Sequence, residues 1–534
     1  MSNEGMVQND IQDSKRQSVF REPLRRPLIL GSLFVAALCL RLYGITQPPM
    51  EFFLVRQYHG ALLARGFYEW LLSGELRTIP PDGIIEPPIL EIFASLSYLI
   101  SGGEHLWIPR LLSALFWMAG GVFLYLTAKK ISSPNAAVLS VAFYLLVPYS
   151  VFASRAFMPD SLMVMLLMVA IFAILRYHES PSTRRLVIAA VASSLVTFVK
   201  PGICTFQVFG AFISLAVYRQ GPWRALMSRP LMVFAALSIL PTGLYYLYGT
   251  VVAGFLHGET SSRKVMPELV LQPSFWDGWR FSVWLTVGYV ALAVALLGVL
   301  LSRKGFPRAL LIGLWSGYLL FGLTFTFHIS THSYYSLQLI PLVALSLGPI
   351  ADLVMRYLGQ VGLRSYRAAL VLGLSLSVLV LSVAEHRHEI EQVAYQKRLW
   401  PVNASFVATY QEIGETVDHS YRTLILFGYP YLGGGSYGNA LMYHGRLLGH
   451  EWRQPDQVAL PSAGRRAMTA EASLRKYSRK YSPEYFIIST AWWQAPQSSE
   501  LRRFLIEHFS RIAWDRDYVV FDLTKKRPRL HPAG

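Results

Sequence analysis

Long apolar stretches separated by short polar gaps constrain the fold of this chain more than any other feature of its sequence. Such stretches approach the length that a helix needs to cross a hydrocarbon core of about 30 Å. Only 15% of the residues are charged, whereas about a quarter are charged in an ordinary soluble domain. The sequence therefore predicts an α-helical polytopic membrane protein with about eleven transmembrane helices, at residues 27–45, 107–128, 134–152, 160–177, 184–199, 203–219, 230–250, 280–301, 308–327, 334–356 and 367–385.

The basic residues that produce the net charge of +17 lie mainly in every second gap between these spans. This is the distribution of the positive-inside rule, with the N-terminus in the cytoplasm. We find no zinc-finger spacing and no RNA-binding signature, so no nucleic-acid partner is expected. The protein is predicted to lie in the plasma (inner) membrane. The residues that set this orientation are Lys129, Lys130, Arg176, Arg184, Arg185, Arg219, Arg224, Arg229, Arg303, Lys304, Arg308, Arg356, Arg364 and Arg367.

The chain divides into a cytoplasmic tail, residues 1–26, a membrane domain, residues 27–385, and an extracytoplasmic domain, residues 386–534. The membrane domain includes a long outside loop, residues 46–106. The C-terminal region alternates strand-like runs with helical and polar segments. We therefore expect a small α/β domain there, with strands at Thr423–Phe427, Tyr485–Ile488 and Tyr518–Leu523.

Helical spacing is also visible inside the outside loop. Leu63, Phe67 and Trp70 recur on one face, and Arg65 and Glu69 fall on the opposite face. This pattern predicts a helix that lies in the membrane interface and does not cross the membrane.

Ionisable residues at the predicted outer face indicate the chemistry, because such residues are costly to keep near a membrane. A phosphate leaving group needs positive charge, and an acceptor hydroxyl needs a base. This face carries both carboxylates and basic side chains. A divalent metal ion shared by the carboxylates of Glu51 and Asp160 would fit the same chemistry. The candidate residues are Glu51, Arg56, Glu86, Arg155, Asp160, Lys200, His332 and Tyr335.

Most of these residues also have a purely structural interpretation, but none explains a charge as close to the membrane as Arg155. Glu51 and Arg56 could belong to a solvated loop, and Glu86 and Asp160 precede or begin helices, where prolines and carboxylates are ordinary. Lys200 could extend toward the lipid headgroups. Aromatic residues beside His332 are routine at membrane interfaces.

Taken in chain order, motifs within residues 27–350 resemble the GT-C superfamily of membrane glycosyltransferases. The resemblance is closest to the bacterial branch of this superfamily that is related to protein O-mannosyltransferases and the aminoarabinose transferase. This branch is similar to glycosyltransferase family 39. Each motif is short, and their common order and sidedness carry the resemblance. The motifs are Arg155-x-x-x-Pro159-Asp160, Arg110-Leu111-Leu112-Ser113, Lys200 before Pro201, and His332-Ser333-Tyr334-Tyr335.

The resemblance implies inverting transfer of a sugar from a polyprenyl-phosphate lipid to a hydroxyl of a protein, lipid or glycan. It also implies a catalytic base in the first outside loop, where Glu51 matches. Many relatives have Asp there, often as an Asp-Glu pair, whereas this chain has a single Glu. Glu86 is therefore a second candidate for the base.

Three other functions remain open at this point. A transporter or flippase of lipid-linked sugar would need discontinuous helices and a polar path through the membrane. A polysaccharide polymerase or ligase would use a lipid diphosphate donor and needs similar cations. A scaffold with a partner-binding outer domain would leave the charges at the membrane face unexplained.

Overall fold

The computed structural model describes residues 26–256, 265–360, 404–428, 437–452 and 469–526, with a few helical positions between 373 and 385. Internal contacts divide the chain into two compact units. The first unit holds residues 1–45 and 110–394, and the second holds residues 46–109 and 395–534. The outside loop at 46–106 falls in the second unit, and the predicted domain bounds stay a prediction.

The first unit is helical throughout the part that the structure describes. Many of its large apolar side chains are exposed, among them Val35, Leu240 and Leu300. An exposed apolar surface of this extent is typical of a protein that is covered by lipid. Its helices are 26–42, Trp107–Ile131, Pro134–Leu146, Pro148–Ala153, Asp160–Glu179, Thr183–Val199, Thr205–Gln220, Pro222–Leu226, Arg229–Leu247, Tyr248–Val252, Pro267–Leu271, Pro273–Val287, Tyr289–Leu301, Phe306–Thr324, Thr326–Thr331, Ser333–Ser336 and Leu339–Gln360.

Five of these helical segments are long and apolar enough to cross a membrane, or six if one bent pair forms a single span, within the described residues. The five are Trp107–Ile131, Asp160–Glu179, Arg229–Val252, Phe306–Thr324 and Ser333–Tyr357. The fold class predicted from the sequence is thus confirmed, while the number of eleven spans stays a prediction. The predicted span 367–385 lies almost wholly outside the described residues.

Two predicted spans are broken. The span at 280–301 consists of Pro273–Val287 and Tyr289–Leu301, which meet at an angle of 88°. Gly288 makes this bend with a φ of 76°, a conformation that glycine adopts without steric cost. The span at 134–152 is interrupted before Pro148, because proline has no N–H to continue the helix.

Glycines let two helices of the first unit approach unusually closely. These helices are Thr205–Gln220 and Phe306–Thr324. A Cβ on Gly210 would lie 2.2 Å from the carbonyl oxygen of Gly313, and one on Gly317 would lie 2.5 Å from Cα of Gln207. The spacing from Gly313 to Gly317 is the small-residue pattern of packed membrane helices.

The second unit contains a five-stranded sheet and seven α-helices among its described residues. The strands are β1 (Thr423–Leu426), β2 (Gly449–Glu451), β3 (Tyr485–Ser489), β4 (Phe509–Trp514) and β5 (Tyr518–Lys526), in the order β2-β1-β3-β5-β4. The helices are Leu54–Ser73, Ile89–Ser101, 404–416, Gly438–His444, Ala470–Tyr481, Thr490–Gln494 and Ser499–His508, with a short 3-10 turn at Pro496–Ser498.

The sheet is mixed. β1 pairs in parallel with β2 and β3, and β5 pairs antiparallel with β3 and β4. All four residues of β1 are buried, as expected for a strand that is covered on both faces. The three predicted strands and the small α/β domain are therefore confirmed.

The loop helix Leu54–Ser73 packs against the C-terminal helix Gly438–His444. The hydroxyl of Tyr58 lies 2.8 Å from Nε2 of His444. Arg65 is buried and ion-paired with Glu104 at 2.9 Å, and it donates to the carbonyl of Tyr443. Arg65 is therefore buried inside this unit, because its face of the helix packs on protein.

Candidate active site

The turn before the loop helix carries Glu51. The next two residues, Phe52 and Phe53, have φ angles of 48° and 51°. Bulky residues rarely adopt this left-handed conformation, and strained backbone of this kind clusters at functional sites. The buried side chain of Gln57 donates to the carbonyl oxygens of Glu51 at 2.6 Å and Phe52 at 2.8 Å. Gln57 therefore holds the backbone that presents Glu51.

A second polar group lies beside this turn in the same unit. Arg56 and Glu86 form an ion pair at 2.7 Å, with both side chains mostly buried. The side chain of His59 is buried near both charges. Burial, together with the positive charge of Arg56, lowers the pKa of His59 to about 3. Burial raises the pKa of Glu91, on the helix Ile89–Ser101, to about 7. The structure thus brings together two of the predicted residues, Arg56 and Glu86, and adds His59 and Glu91.

The first unit holds the other predicted cluster. Nζ of Lys200 lies 2.7 Å from Oδ1 of Asp160, and both side chains are only 1% exposed. The same ammonium lies 4.6 Å from the ring centroid of Tyr334 and 5.0 Å from that of Tyr335, within the range of cation–π attraction. Three predicted residues, Asp160, Lys200 and Tyr335, therefore form one buried group.

His332 lies at the edge of this group. Its Nδ1 is 2.7 Å from the hydroxyl of Thr331, and its ring contacts those of Tyr334 and Tyr335. The hydroxyl of Tyr149 donates to Ser333 at 2.7 Å. These contacts fix the loop that carries the late aromatic motif.

Buried arginines organise the segments before Asp160. Arg155 donates to the carbonyl of Tyr43. Arg110 donates to the carbonyls of Arg155 at 3.2 Å and Ile45 at 2.6 Å. Arg41 donates to the hydroxyl of Ser154 at 2.6 Å and to the carbonyl of Leu145 at 3.0 Å. Arginine has five N–H donors in a rigid fork, which suits it to pin several carbonyls at once.

Sequence reasoning missed several of these residues. Arg41 carried a usable signal, because it is a charge at the end of an apolar stretch. Gln57 and His59 carried none, since isolated polar residues in a loop are ordinary, and the position of Glu91 at a helix start favoured a structural role. Their roles depend on burial, which the sequence does not display.

Among the residues that the structure describes, no group of three or more His, Cys, Asp or Glu side chains could hold a metal ion. Glu51 belongs to the second unit and Asp160 to the first. Asp160 already has the Lys200 ammonium as its cationic partner. The divalent cation expected between Glu51 and Asp160 therefore stays a prediction.

Comparison with known proteins gives a family match over part of the chain and a similar fold over most of it. Residues 85–246 match the family model described as dolichyl-phosphate-mannose-protein mannosyltransferase. No curated protein sequence matches the chain significantly. The matched residues include Glu86, Arg155, Asp160 and Lys200 of the predicted site.

Solved structures of two proteins are similar to the chain. ArnT from Cupriavidus metallidurans, bound to undecaprenyl phosphate, superposes with a TM-score of 0.54 at 15% identity, over 92% of this chain and 97% of ArnT. The oligosaccharyltransferase of Archaeoglobus fulgidus, in complex with Zn and sulfate, has a TM-score of 0.50 at 12% identity, over 86% of this chain and 68% of that enzyme. The same archaeal protein, AglB, has a TM-score of 0.50 with an inhibitory peptide and a dolichol-phosphate bound.

These findings agree with the order of motifs in the sequence. The fold extends over nearly the whole of ArnT, and the family match falls on the segment that carries most of the motifs. Residues 85–246 thus match a glycosyltransferase family model, and the chain has a membrane-protein fold similar to those of ArnT and the archaeal oligosaccharyltransferase.

Proposed function

We propose that the protein transfers a sugar from a polyprenyl-phosphate lipid to an acceptor hydroxyl on the extracytoplasmic side of the membrane. The match of residues 85–246 to a glycosyltransferase family carries this proposal. Two neighbours of the same fold support the donor class, since one is bound to undecaprenyl phosphate and the other to a dolichol-phosphate. The acceptor is a protein, a lipid or a glycan.

The proposed step is a single displacement with inversion. The acceptor oxygen attacks the anomeric carbon, the bond from that carbon to the phosphate oxygen breaks, and polyprenyl phosphate leaves with the bonding electrons. Glu51 takes the proton of the acceptor hydroxyl as general base. Glu86 orients Arg56 through their 2.7 Å ion pair and is the second candidate for the base.

The remaining residues serve the donor in this proposal. Arg56, Arg155 and Lys200 stabilise the phosphate as negative charge develops on the leaving group. Asp160 orients the Lys200 ammonium through their 2.7 Å contact. His332 and Tyr335 hydrogen-bond the sugar or the phosphate. The protein works in the inner membrane with its N-terminus in the cytoplasm.

A transfer assay with the purified full-length protein tests the proposal. The substrates are a panel of polyprenyl-phosphate sugars labelled in the sugar, and EDTA in a parallel reaction tests for a divalent cation. We expect label to leave one donor, and Glu51→Gln to lower the rate by about 10²-fold or more, because a general base contributes that much. Glu75→Gln is the matched control, since Glu75 is an exposed carboxylate of the same outside segment.

Three results would contradict the proposal. Full activity of a correctly folded Glu51→Gln variant would remove Glu51 as the base. Turnover of lipid diphosphate sugars with no turnover of monophosphate sugars would move the protein to the polymerase or ligase class. Movement of labelled lipid across vesicles without transfer would instead establish the transporter.

A further inference from the structure

A cavity of about 170 Å³ opens in the second unit at the carboxyl ends of β1 and β3. Phe427 and Gly428, which follow β1, and Ser489 and Thr490, at the end of β3, line it. The two strands are parallel neighbours, and the chain leaves β1 toward β2 but leaves β3 toward β4 and β5 on the other side. In open α/β sheets, this change of direction creates the crevice in which ligands bind.

Aromatic rings form one wall of the cavity. Phe406 and Tyr410 lie one turn apart on the helix 404–416, with their rings stacked at 6.5 Å and 14°. The ring of Phe427 meets Tyr410 edge-on at 5.6 Å. Tyr437 completes the aromatic lining. This wall offers flat apolar faces to a ligand.

Polar groups form the other wall. The hydroxyls of Thr409, Ser489 and Thr490 line it together with the exposed Arg516 and Asp517. Ser489 donates to the carbonyl of Gly428 at 2.8 Å, and the backbone N–H of Thr490 donates to the carbonyl of Asp517 at 2.9 Å. The Ser489 bond joins the ends of β3 and β1, and the Thr490 bond attaches the turn of Arg516 and Asp517 to the end of β3.

The lining excludes several classes of ligand. A purely apolar molecule would cover the charged groups of Arg516 and Asp517 without giving them hydrogen bonds, which is costly. A phosphate would meet the Asp517 carboxylate. The volume is below the roughly 300 Å³ at which sites for drug-sized ligands begin, so the ligand is small.

We infer that this cavity binds a single uncharged sugar ring. A pyranose presents C–H groups on its face, which suit the aromatic wall, and hydroxyls on its edge, which suit Asp517, Arg516 and the threonines. The binding itself is independent of catalysis. We assign this ring to an acceptor or product glycan, and only this assignment rests on the proposed transferase function.

Saturation-transfer NMR on the full-length protein tests the inference. The protein is held in lipid nanodiscs, since detergents with sugar headgroups would compete. The probes are the methyl pyranosides of glucose, mannose, galactose and N-acetylglucosamine, each offered alone. We expect at least one to bind, and Phe406→Ala and Asp517→Ala each to weaken that binding at least tenfold.

Asp515→Ala is the matched control, because Asp515 lies in the same exposed turn but outside the cavity lining. Binding should survive in this control and in Glu51→Gln, which separates the cavity from transfer. The inference is overturned if the folded wild-type protein binds none of the probes at millimolar concentration. It is equally overturned if both cavity variants bind as the control does.

Discussion

At the scale of single residues, the turn around Glu51 is held in an unfavourable backbone conformation. Phe52 and Phe53 both have left-handed φ angles, and each such residue costs about 1–3 kcal/mol and persists only where its surroundings enforce it. The two hydrogen bonds from Gln57 help to constrain this turn. We therefore regard Gln57 as a positioning residue for the proposed base.

Gln57→Glu tests this role, because it keeps the shape of the side chain but removes the amide donors. We expect the kcat of transfer to fall at least tenfold, about 1.4 kcal/mol in the barrier, while KM for the lipid donor changes less than twofold. Steady-state kinetics on full-length protein give both constants. If kcat/KM of Gln57→Glu fell by the same factor through a higher KM alone, Gln57 would instead shape donor binding.

The buried carboxyl of Glu91 gives a second test at this scale. Burial raises its pKa from the ordinary 4.5 to about 7, so the folded protein favours the protonated form. Its contribution to stability is complete below about pH 4.5 and is lost as the pH rises through about 7.

Glu91→Gln removes this titration and keeps a neutral side chain of similar shape. Relative to the wild type, the variant should therefore gain stability between pH 5 and pH 8, by on the order of 1–3 kcal/mol. Thermal unfolding of both proteins at the two pH values measures the change. The exposed Glu75→Gln is the control, and a difference for Glu91→Gln that does not vary with pH would contradict the assigned protonation state.

At the scale of elements, close helix packing in the first unit depends on positions without a side chain. Gly313 on Phe306–Thr324 faces the carbonyl of Gly210 and the hydroxyl of Ser214, each 2.2 Å from an added Cβ. Real Cβ atoms do not approach so closely, so the helices would have to separate. By contrast, an added Cβ on Gly243 would meet nothing within 4 Å.

The pair Gly313→Ala and Gly243→Ala compares these two environments with the same chemical change. Gly313→Ala should destabilise the protein by about 1–3 kcal/mol through overpacking. Gly243→Ala should be neutral or stabilising by up to about 1 kcal/mol, because alanine has the higher helix propensity. Fluorescence-detected thermal unfolding in detergent compares the variants, and equal midpoints would contradict the close contact.

At the scale of the whole molecule, the second unit is assembled from segments far apart in the chain. The helix Leu54–Ser73 packs on a helix that begins almost 400 residues later, through Tyr58 with His444 and Arg65 with Tyr443. The proposed base therefore lies in the same compact unit as the proposed sugar-binding cavity. Asp160 and Lys200 belong to the first unit.

The sequence by itself determined the membrane fold and the small α/β domain. Apolar stretches of bilayer length indicate transmembrane helices. A strand-like run beside turn residues indicates a β-strand from local sequence alone. It also placed the motifs of the glycosyltransferase family in order, because these are short and contiguous.

Only the tertiary structure decided which of these residues meet. Lys200 pairs with Asp160 across 40 positions, and Arg56 pairs with Glu86 across 30. The burial of Arg65 and the two bonds of Gln57 were equally invisible in the sequence. Such contacts arise when distant elements pack together. They are selected because burying a polar group without a partner costs free energy. No local pattern of residues indicates which partner a buried polar group will meet.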